Sequence, residues 1–207
     1  MDQEINSTQL ATDTQAETSD EILLVAVKLF AQKGYFNTSL GDIAEAAKLT
    51  EVSCIYQYFD NKQAIAAKIY EMIFDNLNVS VDDIRRRYQK ASEQLRGIVD
   101  LFFKLTDDAP YLMDFLLNAK TGEFLPDHKP IYAMPAFIKI LKIIQNGIRA
   151  GEIRNIDPTL VSAYFFGIIY NTLRLVLNGQ LEKRADAYQA QTWLAAWNLI
   201  AKKSTCF

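Results

Sequence analysis

Histidine is nearly missing from this chain: His128 is the only one in 207 residues. Cysteine is almost as scarce, with only Cys54 and Cys206. They stand far apart, in neither a metal-ligand nor a redox spacing, so they give no disulfide framework and fit a reducing cytoplasm. One imidazole without a partnered cysteine leaves no nucleophile and base pair, and the chain has no glycine-rich phosphate loop or metal-ligand cluster. We therefore expect no catalytic residue, no metal and no cofactor. Bulk positive charge is also lacking, since the formal net charge is −3. The most apolar stretch, Leu160 to Leu177, is interrupted by Asn171 and Arg174, so no membrane span is expected. Residues 1–18 are rich in Gln, Thr, Asp and Glu, with neither a basic start nor an apolar run. They read as a disordered arm, not as a signal peptide or anchor.

What is present is organised around Ile22 to Ile69. Leu23, Val27 and Phe30 recur at helical spacing, and Gly34 suits a helix end. Ser39 can cap a second helix while Asp42, three residues on, supplies the reciprocal carboxylate of a capping box. Ile43, Ala44 and Ala47 give that helix a face of small residues. Thr50 or Ser53 can cap a third, very short helix carrying Ile55, Tyr56, Tyr58 and Phe59, and Asn61 or Asp60 caps a fourth.

The order Leu29-Phe30, Lys33-Gly34-Tyr35, Thr38-Ser39, Asp42-Ile43-Ala44, Ala46-Ala47, Ile55-Tyr56, Tyr58-Phe59, Asn61-Lys62 resembles the DNA-binding domain of TetR-family transcriptional regulators. The resemblance covers about a quarter of the chain. It implies an all-α fold: an N-terminal three-helix helix-turn-helix module over residues 19–66, and a larger helical ligand-binding and dimerisation domain over 67–207. Two departures stand out. Lys48 occupies a position where the family usually has glycine, and the stretch from Asp42 to Tyr56 is one residue longer than in common members.

Beyond the module, a fourth helix from Asn61 to Leu77 is expected, with a polar break at Asn76 to Ser80 before a long helix that starts near Val81 or Asp82. Arg85, Arg86 and Arg87 fall in its first turns and read as a solvated face more readily than as an anion site. The pattern continues through Leu95, Ile98, Val99, Phe102 and Leu105 to Asp107-Asp108, and Pro110 opens a short helix. Gly122, Pro126, Pro130 and Pro135 make Thr121 to Pro135 irregular. Ala136 to Ala150 is helical and closed by Gly151. Asp157-Pro158 opens a helix apolar on two faces, one for the core and one for a second copy of the chain. A last helix, from Ala185 to Lys203, carries Trp193 and Trp197.

A helix-turn-helix places its second helix in the major groove. The candidate DNA contacts are Thr38, Ser39, Thr50, Glu51, Ser53, Cys54, Tyr56, Gln57, Tyr58 and Lys62. Gln57 can pair with adenine and Glu51 can accept from cytosine. Thr38, Ser39, the hydroxyls of Tyr56 and Tyr58, and Lys62 would hold phosphates, although Tyr58 reads equally well as buried. Candidate ligand contacts are Phe102, Tyr111, Phe115, Phe137, Leu141, Tyr164 and Phe165, each of which also reads as core. Asn171, Thr172 and Arg174 need partners in an apolar helix, and a dimer contact suits them better than a ligand contact. His128 reads as exposed.

The functional expectation is a cytoplasmic homodimeric regulator, usually a repressor, on a palindromic double-stranded DNA operator, released by an apolar or aromatic small-molecule effector. The alternative is a ligand-binding or protein-interaction module of the same fold that has lost DNA recognition. Its motivation is the near-neutral motif, the lysine for glycine, the longer turn and Glu51.

Overall fold

The computed structural model describes residues 2–118, 120–125, 127 and 129–203, with side chains from residue 18 onward except at 121 and 123. In chain order the helices are α1 (Asp2–Lys33), α2 (Leu40–Ala46), a 3₁₀ helix (Val52–Gln57), α3 (Lys62–Arg87), α4 (Ala91–Asp108), α5 (Pro110–Asn118), α6 (Thr121–Phe124), a 3₁₀ turn (Ile131–Ala133), α7 (Pro135–Arg149), α8 (Pro158–Leu177) and α9 (Asp186–Ile200). The one extended pairing among the described residues is the isolated bridge Ile153–Ala201. The chain forms two compact units. The first is Met1–Glu71 with Ala119–His128, and the second is Met72–Asn118 with Lys129–Phe207. The division falls within α3, a few residues past the expected boundary at 66/67.

In the first unit, α1 starts at Asp2, so residues 2–18, expected as a disordered arm, are helical. No glycine or proline precedes Gly34 to stop the helix. Gly34 ends it at φ +83°. The core gathers Ile22, Ala26, Val27 and Phe30 from α1, Ile43 and Ala44 from α2, Ile55 and Phe59, and Ile65, Ala66 and Ile69 from α3. Phe124 of α6 is buried too, its ring stacked on Tyr35 with centroids 4.0 Å apart.

The expected break at Asn76 to Ser80 does not occur, and α3 runs on to Arg87. Ser80 returns its hydroxyl to the Asn76 carbonyl at 2.9 Å, which satisfies it without opening the helix. Arg85, Arg86 and Arg87 therefore sit in the last turn of α3, where positive charge complements the helix dipole. Arg85 and Arg86 also pair with Asp82 and Asp83.

The second unit packs α4, α7, α8 and α9 around Leu95, Ile98, Val99 and Phe103 of α4, Ile140, Ile143 and Ile144 of α7, Phe165, Ile169 and Leu173 of α8, and Ala196 and Ile200 of α9. Three carboxylates pin helix starts. Asp157 accepts from the Thr159 and Leu160 amides and caps α8. Glu152 reaches across sequence to accept from the Ala91 and Ser92 amides at 3.0 and 3.1 Å and from the Ser92 hydroxyl at 2.6 Å. Asp107 accepts from the Ala185 and Asp186 amides at the start of α9. Buried Thr106 and Thr192 return their hydroxyls to the carbonyls of Phe102 and Tyr188. By length and composition α8 is apolar enough to cross a membrane. In this unit one side of it forms the bundle core instead.

Candidate DNA-reading face and ligand cavity

Between α2 and α3 the backbone is fixed by short-range chemistry. Ser39 Oγ accepts from the Asp42 amide at 3.0 Å, while Asp42 accepts from the Ser39 amide at 2.8 Å and from its hydroxyl. Lys33 adds an ion pair to Asp42 at 2.8 Å. The Lys33 and Ser39 hydrogen bonds hold the Asp42 carboxyl far below the usual carboxylate range. At the other end of α2, Lys48 takes the left-handed conformation at φ +55°. Its amide donates to the Glu45 carbonyl at 3.0 Å and the Leu49 amide to the Ala44 carbonyl at 2.9 Å, the two bonds of a Schellman turn. The glycine that the family favours here answers this backbone requirement. Lys48 meets it at a steric cost of about 1–2 kcal/mol.

The turn delivers the chain into the 3₁₀ helix Val52–Gln57. Its preceding residue is Glu51, whose side chain makes no cap bond, so neither Thr50 nor Ser53 caps this helix. The Ser53 hydroxyl donates instead to Glu51 Oε2 at 2.9 Å, and Thr50 Oγ1 lies 3.6 Å from Cys54 Sγ. Ile55 and Phe59 face inward, whereas Glu51, Val52, Ser53, Tyr56 and Gln57 are exposed on one continuous segment. Asn61 Oδ1 accepts from the Ala64 amide at 2.8 Å and starts α3.

Lys62 belongs to the module's interior as much as to its surface. Its Nζ donates to the carbonyls of Tyr35 and Thr38, both at 2.8 Å, and lies 4.3 Å above the Tyr35 ring. Burial lowers its pKa. The ammonium thus clamps the 35–38 loop to α3.

In the second unit, a cavity of about 320 Å³ lies between α4, α5, α7 and α8, walled by Phe102, Leu116, Leu117, Phe137, Phe166 and Tyr170, with Ile131, Gly167, Ile169 and Leu173 completing it. Gly167 leaves open space where a Cβ would stand. A second cavity, of about 270 Å³, is bounded by α3, α4 and α5, with Met72, Ile73, Leu77, Leu101, Leu105, Leu112 and Met113 as apolar walls and Asn76 and Ser80 as polar ones. Phe102 and Leu116 line both cavities.

Residues 22–69, the stretch that carries this helix-turn-helix geometry, match the family model described as bacterial regulatory proteins, tetR family. Residues 22–69 belong to the TetR family. The TetR-family stretch also lies in a match to the biofilm operon icaADBC HTH-type negative transcriptional regulator IcaR of Staphylococcus aureus, 39% identical over 89 residues, which are 43% of this chain and 46% of the relative. The chain spans less than half the length of the curated relatives it matches. The fold as a whole resembles a TetR family transcription regulator from Marinobacter aquaeolei VT8, with 23% identity, TM-score 0.73, and coverage of 92% of this chain and 100% of that one. It also resembles the transcriptional regulator FadR from Bacillus subtilis in complex with stearoyl-CoA, with 22% identity, TM-score 0.65, and coverage of 85% and 96%.

Within the TetR-family module the expected contacts separate into two groups. Thr50, Glu51, Ser53, Tyr56 and Gln57 are exposed, and Cys54 and Tyr58 are half-buried beside them. Ser39 is exposed with its hydroxyl spent in the cap. Thr38 departs from the expectation: its side chain is buried and donates to the Gly34 carbonyl at 2.9 Å, so its hydroxyl is turned away from any phosphate. Lys62 departs in part, because two of its three donors are bound internally.

Of the expected ligand contacts, Phe102 and Phe137 line the first cavity. Phe115 and Phe165 are closed into the core, Phe165 against Trp193. Tyr111 and Tyr164 are exposed, and Leu141 lines neither cavity. Leu116, Phe166 and Tyr170 line the first cavity and were not among the expected contacts. Phe166, Tyr170 and Leu173 do share one helical face of α8, the signal that could have found them. Asn171 and Thr172 find their partners in the i−4 carbonyls of Gly167 and Ile168, and exposed Arg174 lies 6.0 Å from the Tyr170 ring centroid. His128 lies outside the described residues.

Proposed function

We propose that this chain is a cytoplasmic DNA-binding regulator that acts as a homodimer on a palindromic operator and is released by an apolar small molecule. The observation that carries the reading is the segment Glu51 to Gln57, which buries Ile55 and turns its polar side chains outward directly after a helix-turn-helix turn. Base edges are read by such side chains, and affinity comes from phosphates. Gln57 and Glu51 are the base readers in this reading, Tyr56 a phosphate contact, and Ser39, Thr50 and Ser53 neighbours of the backbone. Repression is the favoured sign, since the matching Staphylococcus relative is named as a negative transcriptional regulator.

Dimerisation is supported by α8 and α9, which leave Leu160, Tyr164, Leu194 and Leu199 exposed. Two half-sites about 34–36 Å apart require paired modules. The effector would occupy the cavities of the second unit, and α3, which belongs to both units, would carry the change. An effector shifts the balance only through different affinities for the two states.

The test is selection of bound DNA by Gln57→Ala and Glu51→Ala proteins. The reading expects an altered base preference at one or two positions per half-site with unfolding unchanged. An unaltered preference in both variants contradicts it.

A further inference from the structure

Among their described lining residues the two cavities present no Asp, Glu, Lys, Arg or His. The polar residues described there are neutral: Tyr170 in the first, and Asn76 and Ser80 in the second. Ser80 already donates to the Asn76 carbonyl, so it offers a ligand only acceptor capacity, while the Asn76 amide provides donors and an acceptor. Phe102 and Leu116 belong to both walls, so the two cavities adjoin across these side chains. Gly167, where a Cβ would meet nothing, borders the first cavity.

We infer that the effector is an uncharged, elongated amphiphile whose apolar body fills the aromatic cavity, passes Phe102 and Leu116, and ends in one neutral hydrogen-bonding group beside Asn76 and Ser80. This rests on the ligand-released reading above and narrows it to a chemical class. A charged end group entering these walls would lose its hydration without gaining an opposite charge, so an acid binds there only after taking up a proton. With a carboxyl group ordinarily near pKa 4.3, neutralisation at pH 7.3 weakens binding by about three orders of magnitude, a factor of ten per pH unit.

The experiment is calorimetric titration of the full chain, without DNA, with 1-decanol, decanoate and 1-butanol, followed by the same titrations of Gly167→Phe. The expected result is that 1-decanol binds, decanoate binds at least 100-fold more weakly at pH 7.3, and decanoate gains about tenfold for each pH unit lowered toward 5. Gly167→Phe should weaken 1-decanol at least tenfold and leave 1-butanol within about twofold. Equal binding of decanoate and 1-decanol at pH 7.3, no binding of 1-decanol, or an unchanged 1-decanol affinity in Gly167→Phe overturns the inference. None of these outcomes touches operator binding, which is measured separately and alone decides the regulator reading.

Discussion

Replacing Lys62 by methionine separates two roles that the same ammonium could play. Methionine keeps the length and apolar stem and removes three donors. Two of those donors serve the Tyr35 and Thr38 carbonyls at 2.8 Å, and the charge also faces the Tyr35 ring. Hydrogen bonds to a charged group contribute about 1.5–3 kcal/mol each. Water competes at this half-buried position, so the expected loss for the pair together is about 2 kcal/mol. With a urea dependence of about 2 kcal/mol/M, the midpoint should fall by about 1 M at unchanged slope. DNA binding by the still-folded variant should weaken while the slope of affinity against salt stays within half a counterion of the parent. A phosphate contact would do the reverse, lowering the salt slope by about one and sparing stability. Unchanged stability with a reduced slope would refute the clamp.

Four further outcomes follow from other contacts. Lys48→Gly should raise stability by about 0.5–1 kcal/mol in urea unfolding, because relief of the left-handed strain exceeds the added freedom of the unfolded chain. Gly147→Ala should lower it by about 1–3 kcal/mol, since the new Cβ would lie 2.7 Å from both Ala91 Cβ and Ile153 Cδ1. Gly167→Ala, a helix-interior glycine with open space beside it, should raise it by about 0.8 kcal/mol. The Glu152 carboxyl would be raised by burial, but the Ser92 hydroxyl and the Ser92 and Ala91 amides draw it below its ordinary value, as the Thr159 and Leu160 amides do for Asp157. Groups depressed on folding stabilise above their unfolded pKa, near 4, and lose that contribution as pH falls through the lower folded values. Glu152→Gln should therefore cost about 1 kcal/mol at pH 7 and flatten the acid limb of the stability profile measured by thermal unfolding.

Features decided by neighbours in sequence were legible in the sequence. The Ser39 and Asp42 box, the Asn61 cap, the Asp157-Pro158 start and the positive φ at Gly34 and Gly151 all depend on a few consecutive residues. The internal bonds of Lys62 were not legible in the sequence, because its partners at Tyr35 and Thr38 belong to another turn of the fold and no spacing rule points from one to the other. The burial of Thr38 was hidden for a related reason. A threonine beside a helix N-terminus reads as a phosphate contact, yet the fold turns its hydroxyl back to Gly34. On α8 the difficulty was register. With Tyr164, Phe165, Phe166 and Tyr170 all apolar enough for a core, only packing shows that Phe165 meets Trp193 while Phe166 and Tyr170 border the cavity. The polar residues Asn76 to Ser80 resembled a break because helix propensity is weak beside the packing that holds α3 together.

Binding of the purified chain to fragments tiling the DNA beside its own gene, at two salt concentrations, tests the central claim most directly. The account predicts tight binding of one palindromic fragment, two chains per duplex, with affinity falling steeply as salt rises. Binding that ignores salt, or no selected sequence even from whole genomic DNA, would contradict it.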